Sequence, residues 1–147
     1  MTGSISHAQG CAIAVVAPAR RITGVGVDLE VDGAVQAHLW PQILTDQEVA
    51  GLRLRPQSTQ ASCATLVFCA KEAFYKLQHP LTSEWLGFQE VEVVIHDDRR
   101  EIEIHTEKFA RTRPGLQRVK GRYAFLTPFV VVGLVLPRRG DVTEPAA

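Results

Sequence analysis

The chain has 147 residues, and its 16 basic and 16 acidic side chains give a formal net charge of zero. This balance argues against binding of nucleic acid or anionic lipid through the overall charge of the chain. The longest apolar run, 129–136, is far shorter than the roughly 20 residues of a membrane-spanning helix, so no membrane span is expected. Three cysteines without a paired spacing, and no secretory signal before them, favour a reducing cytoplasm.

The length fits one domain, predicted at 1–140, followed by a disordered tail at 141–147. The apolar segment Cys11–Ala17 is typical of a buried strand, and the segment 21–30 is predicted to be its hairpin partner. Residues 31–40 are predicted to form a loop. The domain is therefore expected to begin with a hairpin.

Two helices are predicted next. A capping-box pattern that begins at Thr45 predicts a short helix at about 45–53. Ser58 or Thr59 can cap a long helix that runs to about Gln78, where His79-Pro80 would stop it.

After Phe88 the apolar period changes to two, which predicts strands. Residues 91–95 and 102–104 are expected to form a hairpin with a charged turn. The block 123–136 contains Pro128, so it predicts two short strands or one bulged strand. The fold class is therefore α+β, with an antiparallel sheet packed against one long helix.

The long helix has two different faces. At about 3.6 residues per turn, Phe68, Glu72 and Lys76 line one side. The opposite side is an apolar stripe made of Cys63, Leu66, Val67, Ala70, Ala73, Phe74 and Leu77. An aromatic side chain opposite the apolar stripe implies a second buried contact or a ligand at Phe68.

The strand at 21–30 also has two faces, because side chains alternate along a strand. One face carries Val25, Val27 and Leu29, and the other carries Gly24, Gly26, Asp28 and Glu30. Glycine weakens a strand unless something approaches its backbone closely. The second face is therefore predicted to be a cleared, acidic surface.

Asp28, Glu30 and Glu72 form a set of hard oxygen donors suited to Mg²⁺, an ion that keeps water ligands and bridges to substrate phosphates. Lys76 and Lys71 lie near them in the sequence pattern, so carboxylates and cations together indicate a pyrophosphate site. Two simpler interpretations remain open. Glu72 and Lys76 can form a solvated surface pair, and Asp28 and Glu30 can form the polar end of a strand.

Three motifs occur in a specific order: Gly-Ser-Ile-Ser-His at 3–7, Gly-Val-Asp-Leu-Glu at 26–30, and Phe-Cys-Ala-Lys-Glu-Ala-Phe-Tyr-Lys at 68–76. In residues and spacing they resemble the 4′-phosphopantetheinyl transferases, of the type that activates surfactin and enterobactin synthetases. The resemblance falls mainly on the second half of the large members of that family.

The resemblance implies Mg²⁺-dependent transfer of the 4′-phosphopantetheine arm of coenzyme A to a serine of an acyl or peptidyl carrier protein. Adenosine 3′,5′-bisphosphate would be released, and the pathway would make nonribosomal peptides, polyketides or siderophores. Asp28 and Glu72 would be metal ligands, with Glu30 ligating directly or through water. Glu72 would also be the general base, with a metal-bound water as the alternative.

The remaining implied contacts are with coenzyme A. Lys76 would contact the pyrophosphate, and Lys71 would help to hold coenzyme A. Ser6 and His7 match positions that contact its 3′-phosphate. For His7 the alternative is an ordinary loop histidine near the terminus.

Large members of the family hold coenzyme A between two similar halves, whereas small members trimerise. This chain has the motifs of the large type at a length nearer the small type. Three states are therefore open: a second half that lacks its N-terminal half, a homo-oligomer that completes its own cleft, or an inactive remnant. The alternative function is a non-catalytic coenzyme A or carrier-binding half-protein that needs a partner chain. An exposed helix face around Phe68 would favour association.

The segment 107–122 carries six basic residues and one acidic residue, Glu107. The basic residues are Lys108, Arg111, Arg113, Arg118, Lys120 and Arg122. This local charge is predicted to steer an acidic carrier protein, and the alternative is a solvated, mobile loop. Nucleic acid is not expected, because aromatic residues do not interleave with the basic ones.

Overall fold

The computed structural model describes residues 1–139, so the predicted tail at 141–147 lies outside the described residues. The strands are β1 (Thr2–Ala8), β2 (Cys11–Ala17), β3 (Ile22–Val31), β4 (Glu92–His96), β5 (Glu101–His105), β6 (Arg118–Leu126) and β7 (Phe129–Pro137). The helices are α1 (Trp40–Ile43), α2 (Asp46–Arg53) and α3 (Gln57–Thr82). Short 3₁₀ turns occur at Ala37–Leu39, Phe88–Glu90 and Pro114–Leu116. The predicted α+β class is confirmed.

The strands form two antiparallel sheets. Five of them follow the order β3-β7-β6-β5-β4, while β1 and β2 form a separate two-stranded ribbon. The helix α3 packs against β3 and β7 on one face of the larger sheet. The core fills the space between α3 and that face, with Phe74, Leu77, Ile102, Ile104 and Val132 almost completely buried.

The strand β3 joins the two sheets. One of its edges pairs with β7 along most of its length. At its other edge, the backbone N–H groups of Val27 and Leu29 donate to the hydroxyl oxygens of Ser4, at 3.0 Å, and Ser6, at 3.1 Å. Side-chain hydroxyls of β1 therefore satisfy donors that a neighbouring backbone would satisfy within a sheet.

The predicted hairpin between Cys11–Ala17 and 21–30 is wrong. The strand β2 pairs with β1, a strand that the sequence analysis did not predict, and β3 pairs with β7. Gln9 and Gly10 both adopt positive φ angles, of 42° and 78°, which is the geometry of a two-residue hairpin turn. The tight turn lies before β2, so the chain reverses there and not at residues 18–21.

The predicted burial of β2 is also wrong. Val16 is 70% exposed, and Ile5 on β1 is 68% exposed. Within the described residues β2 has β1 as its sole pairing partner, so it is the outer strand of a narrow ribbon. Its continuous apolar sequence therefore does not indicate a strand covered on both faces.

The helix α3 and the strand β3 touch through their backbones at Gly26. A Cβ atom at Gly26 would lie 1.9 Å from the carbonyl oxygen of Ala73, which is far inside van der Waals contact. The predicted close approach to the glycine face is therefore confirmed. The approaching group is the helix itself, so the prediction of a cleared surface at Gly24 and Gly26 is wrong.

Other element boundaries follow local chemistry. The helix α2 begins with the predicted capping box, in which Thr45 and Glu48 exchange hydrogen bonds between side chain and backbone. The helix α3 continues past the predicted stop, because Pro80 lies in its last turn and Ser83, with φ 58°, ends it. Its N-cap is Pro56, so the predicted side-chain cap is absent from this helix.

The two regions predicted as strands after Phe88 are confirmed as strands. Residues 91–95 and 102–104 correspond to the β4–β5 hairpin. The block 123–136 lies in two strands, β6 and β7, which Thr127 and the cis Pro128 connect. Among residues 1–139, no helix combines the length and the apolar character needed to cross a bilayer.

Candidate active site

Asp28 is a buried carboxylate of β3 and is only 3% exposed. Its Oδ1 accepts a hydrogen bond from Ser6 Oγ at 2.8 Å and another from Lys76 Nζ at 2.7 Å. Its Oδ2 is buried and has no hydrogen-bond partner among the described residues. A buried acceptor without a partner is costly, so this oxygen marks a position where a cation or a donor would be stabilised.

Glu30 and Glu72 lie beside Asp28, on β3 and α3 respectively. Burial raises the pKa of Glu30 to about 7, and a close side-chain contact with Asp28 and the negative charges of Asp28 and Glu72 raise it further. Burial likewise raises the pKa of Glu72, and the negative charge of Asp28 raises it further. Lys76 opposes both increases. Burial and the neighbouring negative charges therefore disfavour ionisation of Glu30 and Glu72, and a bound cation would favour it.

The chemistry of the three carboxylates fits Mg²⁺ in an open site. Across residues 1–139, three or more potential ligands do not surround a single point closely enough to form a closed metal cage. Mg²⁺ commonly uses only one or two carboxylates and completes its shell with water and substrate phosphates. The buried, unpartnered Oδ2 of Asp28 supplies one hard donor of this kind.

Lys76 lies next to the carboxylates, one helical turn after Glu72. Its Nζ is 2.7 Å from Asp28 Oδ1 and 3.3 Å from the carbonyl oxygen of Val27. The side chain remains 30% exposed. Its contact with a pyrophosphate stays a prediction.

Lys71 is not part of this cluster. Its Nζ donates to Glu48 Oε2 at 2.8 Å and to the carbonyl oxygens of Ile43, at 2.8 Å, and Phe88, at 2.9 Å. The side chain is 1% exposed, and these three acceptors use the three ammonium hydrogens. Adjacent helical residues point about 100° apart, so Lys71 faces α2 while Glu72 faces β3. The structure leaves this ammonium without a free hydrogen for coenzyme A.

Ser6 and His7 differ in exposure because they are neighbours on a strand. Ser6 is 6% exposed and bonds to Asp28, whereas His7 is exposed. Successive side chains of a strand point to opposite sides. The structure therefore does not bring together the two side chains that were predicted to contact one phosphate.

A pocket of about 210 Å³ also borders Glu72. The turn that follows α3 folds back over the helix and forms the other side of this pocket. Its lining residues are Lys71, Glu72, Tyr75, Trp85, Leu86, Gly87, Phe88 and Val91. Sequence analysis did not predict that Tyr75 and Trp85 line a pocket, because no local pattern shows that the chain returns to the helix after Ser83.

Phe68 packs within its own chain. Its ring centroid lies 5.7 Å from that of Phe88, which comes from the same returning segment. The predicted second contact of Phe68 is confirmed. The helix face around it is covered, so it gives no support to the prediction of association.

The basic segment at 107–122 does not form one surface. Lys108 pairs with Glu90 at 3.2 Å, near the end of the turn after α3. Arg118 lies on β6 and pairs with Glu103 at 2.7 Å, on the sheet face opposite α3. Arg111 and Arg113 are exposed in the intervening turn. Docking of a carrier protein on these residues stays a prediction.

Residues 24–126 match the model of the 4′-phosphopantetheinyl transferase superfamily. The chain belongs to this superfamily. The matched range contains β3 and α3, and with them Asp28, Glu30, Glu72 and Lys76. Ser6 and His7 lie before it. The predicted family is therefore confirmed at the level of the superfamily.

Two relatives show how much of a longer protein the chain represents. It is 29% identical over 144 residues to the 4′-phosphopantetheinyl transferase PptT of Mycobacterium tuberculosis (strain ATCC 25618 / H37Rv), an alignment that covers 92% of this chain and 62% of that protein. It is 32% identical over 93 residues to the transferase Npt of Nocardia iowensis, which covers 63% of this chain and 41% of that protein. The chain thus spans about three fifths or less of these relatives.

Solved structures support the fold. The holo-(acyl-carrier-protein) synthase from Bacillus anthracis str. Ames, in complex with CoA (3′,5′-ADP), superposes with a TM-score of 0.61 at 21% identity, covering 80% of this chain and 97% of that one. The holo-[acyl-carrier-protein] synthase of Thermotoga maritima gives a TM-score of 0.61 at 22% identity, with coverage of 80% and 65%. The sheet and the crossing helix are therefore those of holo-(acyl-carrier-protein) synthases.

Proposed function

We propose that this chain catalyses Mg²⁺-dependent transfer of the 4′-phosphopantetheine arm of coenzyme A to a serine of an acyl or peptidyl carrier protein. The observation that carries this proposal is the buried, unpartnered Oδ2 of Asp28 beside Glu30 and Glu72. These residues lie in the range that matches the superfamily model. The mycobacterial relative is a 4′-phosphopantetheinyl transferase, and one structural neighbour was solved in complex with CoA (3′,5′-ADP). Both support the same reaction.

Asp28 and Glu72 would hold the metal, with Glu30 ligating directly or through water. When bound, Mg²⁺ would offset the negative charge of the pyrophosphate oxygens during transfer. The raised pKa values of Glu30 and Glu72 support a cation at this position, because burial and the nearby negative charge of Asp28 both disfavour the ionised carboxylates and a cation would favour them.

Glu72 is the proposed general base. A carboxylate with a raised pKa accepts a proton more readily than an exposed glutamate does. The serine oxygen would form a bond to the phosphorus that carries the arm, and the pyrophosphate bridge would break. The hydroxyl proton would pass to Glu72, and adenosine 3′,5′-bisphosphate would leave.

Lys76 would stabilise the leaving group. Its side chain is partly exposed and its ammonium already lies beside Asp28, so a phosphate near the cluster would meet a positive charge. Preorganised charges of this kind stabilise negative charge that develops during a reaction.

The pocket between α3 and the returning segment would accept the pantetheine arm. It borders Glu72, and most of its lining is apolar or aromatic, from Tyr75, Trp85, Leu86 and Phe88. An arm bound there would extend from a phosphate near Asp28 past the proposed base.

A second candidate is a coenzyme A or carrier-binding half-protein that needs a partner chain. One observation favours it: the β1–β2 ribbon exposes Ile5 and Val16. In this case the carboxylates would bind the metal and the same site would bind coenzyme A, but the arm would not be transferred.

Mass spectrometry of an apo carrier protein, incubated with Mg²⁺ and coenzyme A, tests the proposed function. We expect the mass of one phosphopantetheine arm to be added by the wild-type chain and by Glu84→Gln, an exposed control on the returning segment. Glu72→Gln should reduce the rate by at least about a hundredfold, because it removes the base and a ligand charge.

The outcomes separate the two candidates. Coenzyme A binding in calorimetry, without a mass gain on several carriers, would favour the half-protein. Full activity of Glu72→Gln would refute the catalytic assignment. A chain that binds neither coenzyme A nor a carrier protein, and modifies no carrier, would contradict both candidates.

A further inference from the structure

Ser6 links the β1–β2 ribbon to the carboxylate cluster. Its hydroxyl donates to Asp28 Oδ1 at 2.8 Å and accepts the backbone N–H of Leu29 at 3.1 Å. The side chain is buried at 6% exposure. The single hydroxyl hydrogen is therefore committed to Asp28, and one acceptor position is committed to β3.

These two bonds determine which oxygen of Asp28 is free. Oδ1 of Asp28 accepts hydrogen bonds from both Ser6 and Lys76, so its hydrogen-bonding capacity is largely used. Oδ2 receives none among the described residues, although it is buried. Because Ser6 is also anchored to the backbone at Leu29, it fixes the orientation of the carboxylate and leaves Oδ2 available.

We propose that Ser6 is a positioning residue that orients Asp28 for metal binding and is not a contact for the 3′-phosphate of coenzyme A. This inference rests on the proposed function, in which Asp28 is a metal ligand. Residues that hydrogen-bond to a ligating side chain commonly change metal affinity by about 10- to 100-fold when they are removed. Its committed hydroxyl and its burial leave Ser6 no free donor for a phosphate.

Ser4 is a matched control on the same strand. Its hydroxyl accepts the N–H of Val27 at 3.0 Å, so it attaches β1 to β3 in the same way as Ser6 does. The bond from Ser6 to Asp28 is the difference between the two serines. Comparing Ser4→Ala with Ser6→Ala therefore separates orientation of the carboxylate from attachment of the ribbon.

The experiment measures Mn²⁺ binding to the full chain without coenzyme A, by electron paramagnetic resonance of the free ion. We expect Ser6→Ala to weaken Mn²⁺ binding by about tenfold or more, and Ser4→Ala to leave it unchanged. Ser6→Thr keeps the hydroxyl and should restore most of the affinity. Thermal unfolding in a chelator shows whether the variants are folded. If Ser6→Ala is not folded, Ser6→Cys provides the test, because its thiol is a weak donor of similar shape and should also weaken Mn²⁺ binding.

A second measurement addresses the rival role. If Ser6 contacts the 3′-phosphate, Ser6→Ala will raise the half-saturating concentration of coenzyme A while Mn²⁺ binding stays at the wild-type level, and the inference is overturned. Equal weakening by Ser6→Ala and Ser4→Ala would also overturn it. A wild-type chain that binds coenzyme A and modifies a carrier without binding Mn²⁺ would refute the metal role of Asp28 and this inference, but not the transfer reaction.

Discussion

Lys71 and Glu48 form an ion pair that is almost completely buried, with Nζ 2.8 Å from Oε2 and side chains that are 1% and 3% exposed. The same glutamate caps α2 at Thr45 and accepts the backbone N–H of Val93 in β4 at 2.7 Å. One carboxylate therefore connects α2, α3 and β4. A lysine of the motif at 68–76 thus belongs to the structural frame of the site.

Lys71→Met should lower the free energy of unfolding by about 3–5 kcal/mol, because it leaves the Glu48 charge buried without its cation. Urea denaturation measures this change. Arg99→Met breaks an exposed pair with Glu101 and should cost less than about 1 kcal/mol. Equal losses in the two variants would contradict the structural role of Lys71.

Gly26→Ala should destabilise the protein by about 1–3 kcal/mol or more, because the new Cβ would collide with the backbone of Ala73. Gly51→Ala is the matched control, since a Cβ at this residue of α2 would meet no atom within 4 Å apart from its chain neighbours and the backbone of its own helix. It should stabilise the helix by about 0.5–1 kcal/mol. Thermal unfolding shows whether each substitution raises or lowers stability. A Gly26→Ala variant as stable as the wild type would refute the backbone contact.

The free energy of unfolding should depend on pH through the ionisation of Glu103. A hydrogen bond with His105, together with the neighbouring Arg118, lowers the pKa of Glu103 from 4.5 to about 2, against the opposing effect of burial. A lowered pKa stabilises the fold above about pH 4.5, and this stability is lost as the pH falls toward about 2.

Glu103→Gln should therefore be less stable than wild type near neutral pH, by about 1–2 kcal/mol after allowance for the exposed partners. The difference should shrink as the pH falls toward about 2. Urea denaturation at several pH values measures it, with Glu84→Gln as an exposed control. A difference that does not change with pH would contradict the prediction.

Trp85→Ala should raise the half-saturating concentration of coenzyme A by about tenfold, because the pantetheine arm loses an aromatic contact. Adenosine 3′,5′-bisphosphate lacks the arm, so calorimetry should show that it binds the variant as tightly as the wild type. Leu54→Ala, an exposed change just after α2, should alter neither value. Equal weakening for both ligands would place the arm outside this pocket.

The sequence predicted the convergence of Asp28, Glu30 and Glu72, because that convergence depends on two local periods. Alternation placed the first two carboxylates on one face of β3, and helical spacing placed Glu72 on the side of α3 away from its apolar stripe. The motif match added that the strand and the helix would meet. The capping box of α2 was predicted correctly because it too depends on a local pattern, of four consecutive residues.

Contacts between distant segments could not be predicted in this way. Whether Lys71 faces the carboxylates or α2 depends on where α2 packs, and no local period contains that information. Ser6 was assigned to a ligand because its partner, Asp28, lies on a strand that is not its hairpin neighbour. The turn at Gln9-Gly10 was the available signal for β1, and it was overlooked because β1 has no regular apolar alternation.

The amides of Val27 and Leu29 are held by serine hydroxyls and not by a neighbouring backbone. If the ribbon of β1 and β2 opens locally, we expect these amides to exchange with deuterium while the ladder between β3 and β7 stays closed. The same movement withdraws Ser6 from Asp28. The exchange rate at Leu29 would therefore measure how often Asp28, the proposed metal ligand, loses its fixed orientation in the folded protein.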